Sequence, residues 1–476
     1  MPRTPIAALE RALRGRVRTD AESLAPFRRD ASHLEGSPRA VVAPTDVDDV
    51  RALVEWARRY HVPLVTRGGG TSLDGESVPA DGSVVVDLSG WTEVLEVEPD
   101  ERWARVGPGV VNRDLQEALR PHGLFFPPNP GSWTRSTIGG NVATNASGPR
   151  SFRYGPTRAW VREVEAVLGT GERARFGARV AKRSVGPDLL HLLVGSEGTL
   201  AVITEVTVRL AHRPALREGW VLSVPEDVSL GTVARRLART PGTGLSAVEY
   251  LDHGSASALT ETRPVGWPTG SSLLLLEIEA AGPAEAETRR RRVRAALRAV
   301  GVPGRPTVFS DADELWTVRG ASGVVLEERM GRHVREDIAV PLGRIDALLR
   351  TLREIARSAS VPLYLYGHLG EGSLHPNYVI DPKTPAADRI RAAVLTASLG
   401  LGGTVSAEHG IGRLKIPFLE RELGRAAVAL LAAVKRHCDP DGILNPGKLY
   451  PTLARAAGRG PSRSPSGSAG GAARRP

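Results

Sequence analysis

The chain has 476 residues, 41% of them hydrophobic, with a formal net charge of +10 and a single cysteine. That length exceeds one usual domain, so two lobes are expected, and the lone Cys438 excludes an internal disulfide or an intrinsic cysteine-ligated iron–sulfur cluster. The positive charge is nearly all arginine, interspersed with acids and lacking any ladder of basic and aromatic residues, which argues against nucleic acid as a partner.

In chain order, Thr45-Asp46 opens a helix with Val47, Val50, Val54 and Ala57 on one face and Pro63 as its stop. A strand over Val62–Val65 feeds Arg67-Gly68-Gly69-Gly70-Thr71-Ser72, whose unobstructed N–H groups can cradle a pyrophosphate, with the Thr71 and Ser72 hydroxyls as extra donors. This is neither a Walker loop nor the fingerprint that opens a Rossmann unit. Strands follow at Val84–Val86 and Trp103–Val106, then a helix at Asn112–Leu119 ending near Gly123. A second small-residue segment runs Pro127-Pro128-Asn129-Pro130-Gly131-Ser132 and Thr137 to Asn145, and a third runs Gly195-Ser196-Glu197-Gly198-Thr199-Leu200. Val161–Leu168 reads as a strand entering a hairpin at Thr170-Gly171, and the alternation across Val202–Leu210 as a half-buried strand. Three segments of small, hydrogen-bonding residues within one α+β lobe suit an extended, bulky cofactor; each by itself is compatible with a tight turn.

The second half restarts with a strand at Leu273–Ile278 and a helix whose Arg289–Arg292 run forms a solvated face. Another strand is expected over Asp337–Pro341, a helix carrying Ile345, Leu348, Leu349, Leu352, Ile355 and Ala356, and a strand at Leu363–Tyr366. That last strand delivers Gly367-His368-Leu369-Gly370-Glu371-Gly372-Ser373-Leu374-His375, followed later by Glu408-His409-Gly410. Histidines seven apart on an unbroken strand would face opposite ways, but Gly370-Glu371-Gly372 lets the chain turn so both can meet one ion. His368, His375 and Glu408 suit a divalent metal, zinc foremost with manganese or iron as alternatives, and leave open positions for a substrate. An adjacent imidazole, His409, equips such a site to deprotonate a bound hydroxyl. The competing reading is a glycine-rich surface loop beside an unrelated histidine.

Residues 456–476 are Gly, Ser, Pro, Ala and Arg and are expected to be disordered. No apolar run reaches the roughly eighteen residues of a membrane span, and no signal-peptide core opens the sequence. A cytoplasmic location is expected, with peripheral attachment at the inner face of a membrane compatible with the charge. The expected divisions are a cofactor domain over 1–213, a substrate and metal domain over 214–430, and a segment over 431–455 that returns to the first.

The sequence resembles the vanillyl-alcohol-oxidase-like flavoproteins in Pro44-Thr45, Arg67–Leu73 with Gly75 and Pro79, Thr137-Ile138-Gly139-Gly140-Asn141, Arg153-Tyr154-Gly155 and Gly195–Thr199. Gly367-His368, His375, Glu408-His409-Gly410 and Asn445-Pro446-Gly447-Lys448 narrow the resemblance to the D-2-hydroxy-acid dehydrogenase branch: D-lactate dehydrogenases, glycolate oxidase catalytic subunits and D-2-hydroxyglutarate dehydrogenases. The resemblance implies a two-lobe FAD-binding domain of that type with a second sheet-and-helix domain. It implies FAD on the Arg67–Ser72 loop, with Pro128, Gly131, Ser132, Thr137, Gly140, Asn141, the Gly195–Thr199 segment (Gly195, Glu197, Gly198, Thr199), Ile203 and Asn445 lining it. The first loop has neither histidine nor cysteine, so the flavin is expected to be non-covalent. A D-2-hydroxy acid would be oxidised to the 2-oxo acid by hydride transfer to flavin N5, with His409 as base, Arg319 as carboxylate clamp, and Arg335 and Asn377 contacting substrate.

Two positions depart from the D-2-hydroxyglutarate pattern. Gly323 stands where that branch has threonine and Arg335 where it has lysine, which leaves D-lactate, glycolate or another D-hydroxy acid open. Alternatives are a flavin-dependent transferase of the alkyl-glycerone-phosphate synthase type, an inactive flavin subunit, and a zinc hydrolase, which would leave the glycine segments idle. Electrons would leave to oxygen, a quinone, an electron-transferring flavoprotein or a separate iron–sulfur subunit, and a homodimer is a compatible assembly.

Overall fold

A computed structural model describes residues 5–263, 266–302 and 304–450. The 456–476 tail and the end of the returning segment lie outside the described residues.

The first helix of the sequence reading forms over Val47–Tyr60, capped where the Asp46 carboxylate accepts from the Asp49 N–H at 2.8 Å. Its apolar face, with Val50, Leu53, Val54 and Ala57, is fully buried against a small sheet. The strand after it begins at Leu64 rather than Val62, because the Val62 N–H still closes onto the Ala57 carbonyl at 3.0 Å as the chain leaves the helix. That sheet runs Val17–Arg18, Ala40–Val42, Val84–Asp87, Leu64–Arg67, and its last three members are parallel. An antiparallel sheet lies beside it in the order Val94–Glu98, Trp103–Val106, Ala201–Arg209, Val161–Leu168, Arg173–Gly177. Its central strand Ala201–Arg209 is more buried than its alternation predicts. Val202 packs into the core of the first sheet, while Ile203, Val206 and Val208 pack under the helices of the second.

The second lobe is one large antiparallel sheet. Its order is Thr307–Phe309, Leu216–Val224, Ser272–Ala280, Leu245–Leu251, Leu363–Gly367, Ser373–Tyr378, Val334–Arg335. Both faces are covered, so its strands read as continuous apolar runs. Leu274 and Leu276 meet the helices Leu230–Arg239, Pro283–Arg298 and Ile345–Ala359, whereas Leu273 and Leu275 meet His253–Thr262 and Ser322–Met330. In the Arg289–Arg292 run, Arg289 pairs with Glu285 and Arg290 with Glu287 and the buried Glu218, while Arg291 and Arg292 reach Thr288 and the Gly242 carbonyl. The expected strand Asp337–Pro341 is reduced to Ile338–Ala339, flanked by in-register bonds from the Glu336 N–H to Pro376 at 3.0 Å and the Val340 N–H to Gly372 at 3.1 Å, and Asp337 turns its side chain inward to a distant loop.

The chain's end returns to the first lobe. The Leu64 N–H donates to the Ile443 carbonyl at 2.8 Å and the Asn445 N–H to the Leu64 carbonyl at 2.7 Å, so this segment extends the parallel sheet. Lys435, on the helix Arg425–Cys438, drives its ammonium into this junction, donating to the Thr199 carbonyl at 2.6 Å, the Leu444 carbonyl at 2.7 Å and Asp439 at 2.5 Å. Asp439→Ala strands that buried cation and is expected to cost about 3–5 kcal/mol of stability, read as a lower urea midpoint by tryptophan fluorescence. Among the described residues no helix is long and apolar enough to cross a membrane.

Candidate active site

A cavity of about 570 Å³ runs between the lobes, within the range of cofactor and ligand clefts. Its first-lobe wall is made by the glycine loop Arg67–Ser72 and by Gly131, Ser132 and Thr137. Gly140, Asn141, Gly198 and Ile203 continue that wall. The loops abut backbone to backbone: a Cβ on Gly68 would lie 2.2 Å from Thr137 Oγ1, and one on Gly69 2.2 Å from the Arg135 carbonyl oxygen. Thr137 also caps the helix Ile138–Thr144, its hydroxyl accepting from the Gly140 N–H. The Arg67 guanidinium is turned to the N-terminal segment, donating to the Arg29 carbonyl at 2.8 Å.

Four expected cofactor residues lie behind the wall rather than on it. The Pro128 carbonyl accepts from Asn112 at 2.9 Å, and the Gly195 N–H donates to Val142 at 2.9 Å. Thr199 is fully buried and gives its carbonyl to Lys435. Asn445 donates its side-chain amide to the Glu76 and Glu197 carbonyls at 2.9 and 2.6 Å. Glu197 does border the cavity, with its carboxylate turned to the backbone of Ile411 and Gly412.

The far end of the cavity is built on one hairpin. Strands Leu363–Gly367 and Ser373–Tyr378 pair antiparallel, and the turn at Leu369–Glu371 with Gly372 at φ 78° brings His368 and His375 together. Their Nε2 atoms are 3.4 Å apart and lie 3.1 and 3.3 Å from Glu408 Oε1. Ligands tetrahedral about an ion with bonds of about 2.0–2.1 Å sit about 3.3 Å from one another, so this triangle has the dimensions of a metal site. The chemistry of the donors agrees. Glu249 Oε1 lies 2.6 Å from His368 Nδ1, so Nε2 is the nitrogen that His368 would offer a metal, while Asp337 Oδ1 lies 3.5 Å from His375 Nδ1 without a hydrogen bond between them. Glu408 Oε2 is buried without a hydrogen-bond partner. Burial opposes charge on His368, yet Glu249 and Glu408 together hold it well above the ordinary histidine range.

His409 stacks on His375 with ring centroids 5.1 Å apart and planes 7° from parallel. Burial holds its imidazole down to about 3, so the ring is neutral. Arg319 pairs with Glu249 at 2.7 Å and lies 4.8 Å from the centroid of the Tyr366 ring. Arg335 reaches Asn377 Oδ1 at 3.3 Å and the Gly323 carbonyl at 3.4 Å, and among the described residues it has no carboxylate partner. Asn377 itself is buried behind Arg335, held by the Tyr364 and His375 carbonyls at 3.3 and 2.7 Å.

Sequence reading missed Glu249, which orients His368, and Asp337, which holds the backbone of the Glu408 loop beside His375. Glu249 left one trace, an acid in the middle of the apolar run Leu245–Leu251 where every residue is buried.

A glycine-walled cleft in one lobe, ending on a histidine–carboxylate triangle in the other, is the layout of a two-lobed enzyme that works on a small substrate with a large cofactor. Residues 38–177 match the FAD binding domain family, and residues 213–449 match the family described as FAD linked oxidases, C-terminal domain. The chain is 33% identical over 433 residues to glycolate oxidase subunit GlcD of Bacillus subtilis, covering 88% of this chain and 91% of that protein. It is 36% identical over 443 residues to D-lactate dehydrogenase of Archaeoglobus fulgidus, covering 90% and 96%, and 32% identical over 453 residues to D-2-hydroxyglutarate dehydrogenase of Stutzerimonas stutzeri, covering 92% and 96%. In fold it is similar to p-cresol methylhydroxylase, with a TM-score of 0.78, 16% identity and coverage of 93% of this chain and 96% of that one. The chain belongs to the FAD-linked oxidases, and it is an FAD-linked oxidoreductase with a fold of the vanillyl-alcohol-oxidase type.

The glycine loop gives this a direct test. Gly69→Ala places a methyl group against the Arg135 carbonyl and parts the two loops; the variant is expected to purify largely without FAD, measured as the ratio of flavin to protein absorbance.

Proposed function

We propose that this protein oxidises a D-2-hydroxy acid to the 2-oxo acid, using non-covalent FAD and a divalent metal held by His368, His375 and Glu408. The carrying observation is the single cavity that joins the glycine loops to the histidine–glutamate triangle and passes Arg335, a guanidinium without an acidic partner. Bound FAD supplies the acceptor for the C2 hydride, and the metal a Lewis acid for the substrate's hydroxyl and carboxylate oxygens. Arg335 binds the substrate carboxylate, where a guanidinium offers two parallel N–H donors. Asn377, from behind, fixes the direction in which that guanidinium points. His409 takes the hydroxyl proton at Nε2, the ring nitrogen 3.7 Å from Glu408 Oε1. Glu249 keeps His368 in one tautomer and at the same time holds Arg319. Because Glu249 already neutralises Arg319, one unpaired guanidinium remains on this wall, which favours a monocarboxylate such as D-lactate or glycolate over a dicarboxylate.

The test is an anaerobic absorbance spectrum before and after a panel of D- and L-2-hydroxy acids. Bleaching of the oxidised flavin by a D-monocarboxylate, abolished by a chelator, is expected. Reduction by L-acids instead, or an intact flavin with every acid, would overturn the assignment.

A further inference from the structure

The loop that carries Glu408 and His409 belongs to neither sheet, yet its backbone is pinned at both ends by carboxylates from different lobes. From the substrate lobe, Asp337 Oδ2 accepts the N–H groups of Ala407, Glu408 and His409 at 2.9, 2.7 and 2.8 Å. From the cofactor lobe, Glu197 Oε1 accepts the Ile411 N–H at 2.7 Å and Oε2 the Gly412 N–H at 2.9 Å. Glu197 is 4% exposed and sits at φ 53°, a left-handed conformation unusual outside glycine and typical of functional sites. Between the two anchors, Gly410 has φ 100°, and a Cβ there would lie 2.5 Å from Glu76 Oε1 and 2.9 Å from Glu197 Oε1, so only glycine lets the carboxylates close on the loop. Gly198, the next residue after Glu197, lines the cavity.

We propose that Glu197 is a positioning residue, acting from the cofactor-binding loop to fix the Glu408–Gly412 backbone and thereby set the affinity of the His368–His375–Glu408 site for its divalent cation. His375 lies on the strand Ser373–Tyr378, and His368 sits one residue past the strand Leu363–Gly367, its carbonyl accepting from the Ser373 N–H at 3.2 Å, so both are fixed by one hairpin. Glu408 is the one donor of the three outside that hairpin, so its placement depends on where its own loop is fastened. This inference rests on the metal reading given above. Changing a group that orients a metal ligand typically weakens metal binding about 10–100-fold.

The experiment compares the flavin-loaded wild type with Glu197→Gln, measuring zinc affinity by competition with a chromogenic chelator and hydrogen exchange at the 406–412 amides. Glutamine keeps the size of the side chain and the backbone carbonyl that holds Asn445, but it turns an NH₂ group toward one of the two N–H donors. The expected result is a folded protein with a somewhat lower melting temperature, a zinc affinity weaker by about 10–100-fold when compared at equal flavin content, and faster exchange at Ile411 and Gly412. Equal zinc affinity in the two proteins would overturn the inference while leaving the metal site standing. A wild type that binds no zinc, manganese or iron would sink the metal reading and this inference with it.

Discussion

His368→Ala is expected to purify with its flavin, to lose stoichiometric divalent metal, and to turn over a D-2-hydroxy acid on the order of 10²–10⁴-fold more slowly, the range that several kcal/mol of Lewis-acid stabilisation represents. The physical basis is the 3.1–3.4 Å triangle of His368, His375 and Glu408, in which removal of one imidazole leaves two donors and a vacancy at the corner that Glu249 orients. Flavin retention is expected because the glycine loops lie on the other lobe, away from the hairpin. Metal content by atomic emission and flavin content by absorbance separate the two effects. Undiminished turnover with no bound metal would remove the metal from the reaction altogether.

His409→Gln should behave differently. Flavin and metal are both expected to remain, and substrate affinity to change little, because the carboxylate is held by Arg335. The loss falls on kcat, by about 10²–10⁴-fold, the usual worth of a positioned general base. Its surroundings keep the imidazole uncharged through burial, and the stacked His375 ring fixes its plane. A variant with near-normal kcat and a raised KM would make His409 a binding group and put the proton elsewhere.

Local pattern carried much of the architecture. The helix at Val47–Tyr60 follows from an Asp cap and a three-and-four apolar spacing, and the histidine hairpin from two glycines around Glu371. Both are decided by neighbours in the chain. What sequence could not show were contacts made across long separations between groups of ordinary local appearance. Glu249 meets His368 from 119 residues away and Arg319 from 70; the apolar run around it hints at an inward-facing acid but names neither partner. Asp337 reads as the first residue of a strand, and nothing near it in sequence announces that its carboxylate engages a loop some 70 residues on. Asn377 follows the same logic. Side chains alternate along Ser373–Tyr378, so a position two beyond His375 points the same way, but Arg335 stands between it and the cavity.

The return of the chain's last described stretch to the edge of the first sheet bears on how this protein is made. Asn445 completes contacts with Glu76 that span 369 residues, so at about 5–20 residues per second the cofactor lobe must wait roughly 20–75 s during synthesis before its final strand partner emerges. Through that interval Leu64 presents an open backbone edge, and the floor behind the glycine loops is incomplete. A chain released before Leu444 and Asn445 are made would be expected to keep an unpaired, association-prone edge at Leu64.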